Sequence, residues 1–357
     1  MYQTGNKIKI TIFGQSHSEA IGVVVDGLPA GFRPDMDKVN EFMKRRAPGR
    51  DRFSTARKEA DTPEILSGLV DGLTCGAPLC AMIKNSDPKS RDYDNLKLVP
   101  RPGHADFAAY MKYDGNNDIR GGGQFSGRMT APLCFAGALC MQLLAEKGIH
   151  IGAHIESVHG ICDMRFDPVN ITKDQLYSLS QKDFCVIDEV AGDRMKAEID
   201  RARKSLDSVG GCIECAIIGM PVGVGGPLFE GIEGRISQNI FAVPAIKGIE
   251  FGAGFSASEM LGSENNDSFY ANDGEIKTKT NNHGGILGGI SSGMPIIFRV
   301  CVKPTPSIAK EQDSVNLKTK EAEKLVVTGR HDPCILGRAV PVIEAVAAIT
   351  MLDMLME

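Results

Sequence analysis

The sequence predicts an α+β fold: one β-α-β sandwich, residues 1–357 as a single domain, made of two intertwined, pseudo-duplicated halves. Three observations predict it. Short segments alternate apolar and polar residues with the period of half-buried strands. Others carry apolar residues at helical spacing. The same order of elements then recurs after 192 residues, counted from Gly27 to Gly219.

The first strand is read from Ile8, Ile10 and Ile12 alternating with Lys7, Lys9 and Thr11, and the second from GVVVDG. A turn, Gly27–Gly31, leads to a helix with Met36, Val39, Phe42 and Met43 on one face, stopped by Ala47–Pro48–Gly49. In the second half, strand-like CIECAII runs into the turn Gly219–Gly223 and a helix with Ile232, Ile236 and Ile240. Gly127–Arg128 precedes a long helix near Thr130–Lys147, and Gly337–Arg338 precedes another near Val340–Met356. Two polar stretches, Asn85–Pro100 and Glu264–His283, read as structureless, mobile loops of the kind that form lids or binding loops.

With 42% apolar residues in 357, the chain can bury a large core. The longest apolar run, around Ala131–Ala145, is too short and too interrupted to predict a membrane span. Residues 1–14 run straight into a strand, so no export segment is expected and a cytoplasmic protein is. The ten cysteines are scattered through apolar runs and read as reduced, packed thiols. Cys212 and Cys215 form the one C-x-x-C, with no second pair to complete a metal site, so no metal is expected.

The net charge of −5 argues against a nucleic-acid binder. Basic charge is concentrated instead in Lys44–Lys58, with seven Lys/Arg against Asp51. That concentration points to a small, highly anionic ligand, since the guanidinium fork matches phosphate and carboxylate oxygens.

Five further segments carry chemistry-bearing residues: GQSHSEA with Ser16 and His17, RPGHADF with His104 beside Asp106, RGGGQFSGRMT, KPTPS (Lys303–Ser307), and GRHDPC with Arg330, His331 and Asp332. Loop histidines are candidate acids or bases. The triple glycine ahead of a helix reads as an anion cradle, although it matches neither a Walker A loop nor a dinucleotide turn.

Together with RRAPGRDRFSTARKEAD and NNHGGILGGISSG, these segments resemble the chorismate synthase family in order and spacing, from about Gly14 to Glu344. The resemblance implies a four-helix core between two antiparallel sheets and a homotetramer. It implies a lyase that removes the 3-phosphate and a C6 hydrogen from 5-enolpyruvylshikimate-3-phosphate, giving chorismate at the last common step towards aromatic amino acids. The reaction requires reduced FMN without net redox change, the reductant expected being NADPH acting through a separate flavin reductase. Carried over by position, His17 protonates the reduced flavin, His104 assists phosphate departure, and Asp332 helps the flavin act as base. Ser16 and Ser126 fall near the reacting centre, and Arg46, Arg52, Arg128 and Arg330 line the substrate pocket. FMN contacts implied are Gln124, Phe125, Ser126, Pro244, Ala245, Gly288, Lys303, Pro304, Thr305, Pro306, Ser307 and Arg330.

Two loops depart from the family pattern. The usual G-E-S-H-G is Gly14–Gln15–Ser16–His17–Ser18, and the usual R-S-S-A-R is Gln124–Phe125–Ser126–Gly127–Arg128. These departures keep open an alternative, a non-catalytic flavin- or anion-binding homologue. A flavin oxidoreductase is a further rival, but no dinucleotide turn supports it. Neither nucleic acid nor membrane is an expected partner.

Overall fold

The computed structural model describes residues 2–49, 61–85, 96–272, 274–327 and 332–357. Its helices in chain order are α1 (Met36–Arg46), α2 (Asp106–Lys112), α3 (Thr130–Ala145), α4 (Lys173–Ser180), α5 (Glu189–Lys204), α6 (Ile232–Ile240), α7 (Gly262–Asn265) and α8 (Leu336–Leu355).

Helix α1 shows how local sequence sets an element. Asp35 caps it by accepting from the Lys38 N–H, and Lys44, Arg45 and Arg46 complement the dipole in its last turn. Ala47 precedes a proline and leaves the helical region at φ −57°, ψ 147°. Val39, Phe42 and Met43 turn inward, as their spacing predicts, but so does Arg46. Helices α3 and α8 are apolar on nearly every face and lie at the centre. They cross so closely that a Cβ on Gly137 would lie 2.3 Å from the Ala345 Cβ. A larger residue at 137 would force the two central helices apart.

Two five-stranded antiparallel sheets enclose the helices. The first has the spatial order Gln3–Thr4, Lys9–Gly14, Ala20–Asp26, Leu79–Lys84, Glu64–Ser67. The second has Ile161–Cys162, His150–Val158, Gly211–Ile218, Ile296–Val302, Ile246–Phe251. Four strands of each sheet share one topology, Lys9–Gly14 to Glu64–Ser67 in the first and His150–Val158 to Ile246–Phe251 in the second, with α1 and α6 following the matching strands and α3 and α8 closing each half; the fifth, edge strand precedes its neighbour in the chain in the first sheet and follows it in the second. The turn glycines match as well. A Cβ on Gly27 would lie 1.9 Å from the Lys7 carbonyl oxygen, and one on Gly219 would lie 2.2 Å from that of Gly148. Each carbonyl sits just ahead of the neighbouring strand, and both glycines have positive φ. Four core helices between two antiparallel sheets is thus the observed α+β architecture.

Charged side chains tie the halves together. Glu344 of α8, 1% exposed, takes both Arg45 nitrogens and the Ala153 N–H. Asp353 accepts the N–H groups of Asn6, Lys7 and Ile8 and pairs with Arg235. Gly127–Ala145 is long and apolar enough to cross a membrane, yet 78% of that window is buried inside the protein.

The segment 264–283, read as a structureless loop, instead carries a paired ribbon, Phe269–Asn272 with Glu275–Thr278. Its base is anchored by polar groups: Asp267 accepts from Thr280 Oγ1 and the N–H of Asn282, and pairs with His283. The reading counted apolar anchors and so overlooked a polar clamp. In the stretch 85–100, residues 86–95 lie outside the described residues, while Leu96 and Val99 are buried against Leu325 and Val327.

Candidate active site

A cleft of about 710 Å³ opens at the N-terminal ends of α3 and α8, so each half directs an equivalent helix start at it. Six Lys/Arg side chains line it: Arg46, Arg101, Arg128, Lys247, Lys303 and Arg338. Asp332 is the one carboxylate among its described lining residues. One wall is apolar, built from Phe125, Val243, Pro244, Ala245, Ile335 and Val342. A cationic cavity with apolar lining suits a ligand that has both an apolar and an anionic part.

Most of the sequence-derived residues meet here. Arg46, His104, Gln124, Phe125, Ser126, Arg128, Pro244, Ala245, Lys303, Thr305, Pro306, Ser307 and Asp332 all line the cleft. Arg52 and Arg330 lie outside the described residues. Pro304 follows Lys303 but is not a lining residue. Gly288 also lies off the lining, in the tight turn between Ile286–Leu287 and Ile290–Ser291, with nothing within 4 Å of an added Cβ.

Ser16 and His17 sit behind the cleft wall, each 5% exposed. Between them and the cleft runs the triple glycine, of which Gly121 lines the cleft. Gly121, Gly122 and Gly123 all have positive φ, at 59°, 88° and 54°. A Cβ on Gly121 would lie 2.4 Å from the His17 ring and 2.6 Å from Ser16 Oγ, whereas one on Gly122 would lie 3.1 Å from His104 Nε2. The glycines read as an anion cradle therefore serve a second purpose, letting backbone pass between two histidine rings. Ser16 N–H donates to Gly123 O at 3.1 Å, which fixes the first loop to this wall and brings the chain at Gln15 beside that at Gln124. Asp118 stands near His17; its carboxyl is held below the usual range by its bond to Arg120, with a smaller contribution from His17.

His104 is held from behind. Its Nδ1 lies 2.6 Å from Asp106 Oδ1, which assigns the Nδ1 hydrogen to that bond and leaves Nε2 towards the glycine wall. Asp106 also takes Arg101 Nε at 2.7 Å and Nη2 at 2.8 Å. Burial alone would raise the Asp106 carboxyl, but its bonds to Arg101 and His104 outweigh this and hold it well below the usual range. Arg101 Nη1 reaches Ser307 Oγ at 3.1 Å, and Lys303 Nζ donates to Gly103 O. The RPGHAD and KPTPS loops are thereby locked together.

A second carboxylate organises the arginines. Asp61, with its side chain fully buried, receives Arg46 Nη1 at 2.6 Å through one oxygen and Arg128 Nη1 through the other. Burial pushes its carboxyl up; the two arginines outweigh that and lower it. Arg46 further donates to Thr130 Oγ1 and Gly127 O, and Arg128 to Asn85 Oδ1. From the second half, Arg338 donates to Asp332 Oδ2 at 2.8 Å and to Arg46 O at 3.1 Å. Burial and the neighbouring Lys247 lower the Lys303 ammonium from its usual value.

The sequence reading omitted Arg101, Asp61, Lys247 and Arg338 from the site and gave Asp106 no role. The spacing of Arg101 and Asp106 around His104 was a usable signal. The partnership of Asp61 with Arg46 and Arg128 was not, because only the fold joins them.

The sequence model of the chorismate synthase family matches residues 8–356. The chain belongs to the chorismate synthase family. A chorismate synthase of Lancefieldella parvula is 43% identical, covering 98% of this chain and 95% of that relative. One of Thermococcus gammatolerans is 43% identical over 99% of this chain and 97% of that relative. A crystal structure of chorismate synthase superposes with a TM-score of 0.76 at 26% identity, covering 99% of this chain and 93% of the other. As a chorismate synthase family member the chain is a lyase acting on a small molecule.

Proposed function

We propose that the chain converts 5-enolpyruvylshikimate-3-phosphate to chorismate and phosphate by anti-1,4-elimination, with reduced FMN bound in the cleft. The observation that carries this reading is the cleft itself: among its described lining residues six cations against one carboxylate, apolar side chains, and a histidine oriented by a buried aspartate.

The residues present fit a flavin mononucleotide. Phe125, Val243, Pro244 and Ala245 offer apolar surface for a ring system, and Lys303, Thr305 and Ser307 offer donors for a phosphate. When bound, reduced FMN supplies reversible electron donation, the chemistry that a weakly acidic C6 hydrogen and a charged leaving group require.

The chain's own part is electrostatic and positional. The arginines bind the substrate carboxylates and phosphate and offset the charge that develops as phosphate leaves. His104 delivers a proton from Nε2 to the departing phosphate while Asp106, itself held by Arg101, keeps the ring in place. Asp332, held by Arg338, is the carboxylate available on the other side for moving the C6 proton. His17 is the buried donor at the glycine wall and holds a proton for the cofactor.

NADPH acting through a separate reductase, a cytoplasmic location and a homotetramer belong to the same proposal. The adjacent apolar side chains Leu228 and Phe229, 88% and 95% exposed, are the feature that supports an assembly.

The test is anaerobic incubation with the phosphorylated substrate and dithionite-reduced FMN, following chorismate absorbance and free phosphate. Equal release of both is the expected result; binding without either product would favour the non-catalytic reading. His104→Ala is expected to lower turnover by about 10²–10⁴-fold with the fold intact.

A further inference from the structure

A thiol pair lies across two central strands of the second sheet. Cys212 of Gly211–Ile218 and Cys301 of Ile296–Val302 are direct register partners on antiparallel neighbours. Opposed residues in such a ladder have Cα atoms about 4.5 or 5.5 Å apart. Both spacings fall within the roughly 4.4–6.8 Å that a disulfide spans. Cys212 is also the register partner of Ser157 on its other neighbouring strand. Both are free, Cys301 exposed and Cys212 half-buried.

The C-x-x-C spacing pointed to a different pair. Three residues along a strand reverse the face, so Cys215 turns inward and is fully buried while Cys212 turns outward to Cys301. The pair also sits between two irregularities of the ladder. One falls between Cys212 and Ile213, and the other lies opposite Cys301 and Val302, where Lys247 is the extra residue. Lys303 follows Cys301 by two positions, and both lysines line the cleft.

We propose that Cys212 and Cys301 form a reversible disulfide, a redox modification site on the strand that carries Lys303 into the anion cleft. The oxidant is a hydroperoxide, hydrogen peroxide in the simplest case. The exposed Cys301 thiolate attacks the O–O bond, giving a sulfenic acid at Cys301 and, with a proton, one water. The Cys212 thiolate then displaces hydroxide from that sulfur; the S–S bond forms, and the hydroxide takes a proton to become a second water. Two thiols are oxidised and one peroxide is reduced to two waters. Cys301 is the exposed thiol and Cys212 the half-buried one, with burial raising the Cys212 thiol, so the peroxide meets Cys301 first.

The test treats the full chain with a small excess of hydrogen peroxide, blocks remaining thiols, and maps tryptic peptides by mass spectrometry. The expected product is Val300–Lys310 linked to Ser205–Arg235, lost on adding dithiothreitol. Cys301→Ser and Cys212→Ser each abolish the link, and Cys215→Ser keeps it. Oxidation of Cys301 to sulfinic or sulfonic acid with Cys212 left free would overturn the proposal, as would a bond from Cys301 to Cys162 or to a second chain.

Discussion

The two halves present their helix-start arginines differently. Arg128, at the start of α3, is buried and shares fully buried Asp61 with Arg46. Arg338, near the start of α8, pairs with Asp332 in a setting where their side chains remain 23% and 14% exposed. One scaffold, used twice, therefore supplies a dry, buried charged cluster from one half and a wetter ion pair, bonded to it through Arg338 and the Arg46 carbonyl, from the other. The outward sheet faces differ in the same way. The middle row of the first sheet is neutral, Thr11–Val24–Cys80–Ser67, with charge kept to the strand ends at Lys9, Asp26, Lys84 and Glu64. The second presents the alternating charges Glu250, Arg299, Glu214 and His154, extended by Asp163. Duplication conserves where side chains point and leaves their chemistry free to diverge.

The largest expected effect breaks the buried side of this comparison. Asp61→Asn strands two guanidiniums with weakened partners and is expected to cost about 3–5 kcal/mol of stability, read from chemical denaturation midpoints. Asp332→Asn is expected to cost about 1 kcal/mol or less while lowering turnover. Equal losses of stability in the two variants would erase the distinction.

The second sheet offers a pH test. Burial alone would lower the His154 pKa, but its bonds to Asp163 and Glu214 outweigh it and hold the group above its usual value. A raised folded-state pKa stabilises fully below the unfolded value of about 6.5 and is lost as pH rises through the folded value. Denaturation midpoints of the wild type should therefore fall on the alkaline side of about pH 6.5. That decline should flatten in His154→Gln/Glu214→Gln. Asp61 has the opposite sign: its lowered carboxyl stabilises above the unfolded value of about 3.9 and loses that contribution as acid protonates it.

The smallest effect concerns the two amide departures. The Ser16–Gly123 bond joins the segments that carry Gln15 and Gln124. Gln15→Glu alone is expected to reduce turnover more than Gln15→Glu combined with Gln124→Arg. Additive behaviour in the double-mutant cycle would show that the two positions act independently.

Much of this architecture is legible in the sequence. Period-two runs gave the central strands, and the Ile232, Ile236, Ile240 spacing gave α6. The repeated Gly-rich turns gave the duplication. The cleft residues came from segment order, since no single motif was specific. What stayed hidden is long-range and polar. Asp61 joins arginines 15 and 67 positions away, and Cys212 meets a cysteine on another strand. The clamp at Asp267 looks in sequence like any polar loop. Such partnerships depend on register and closure, which local patterning does not encode.

The central claim is that flavin and substrate react in the cleft between the starts of α3 and α8. Its most direct test is a crystal structure of the protein soaked with FMN and 5-enolpyruvylshikimate-3-phosphate. The account predicts density for both molecules between His104 and Arg338, with the flavin ring against Phe125 and Pro244. Density for either molecule on another surface, with the cleft still holding only water, would contradict it.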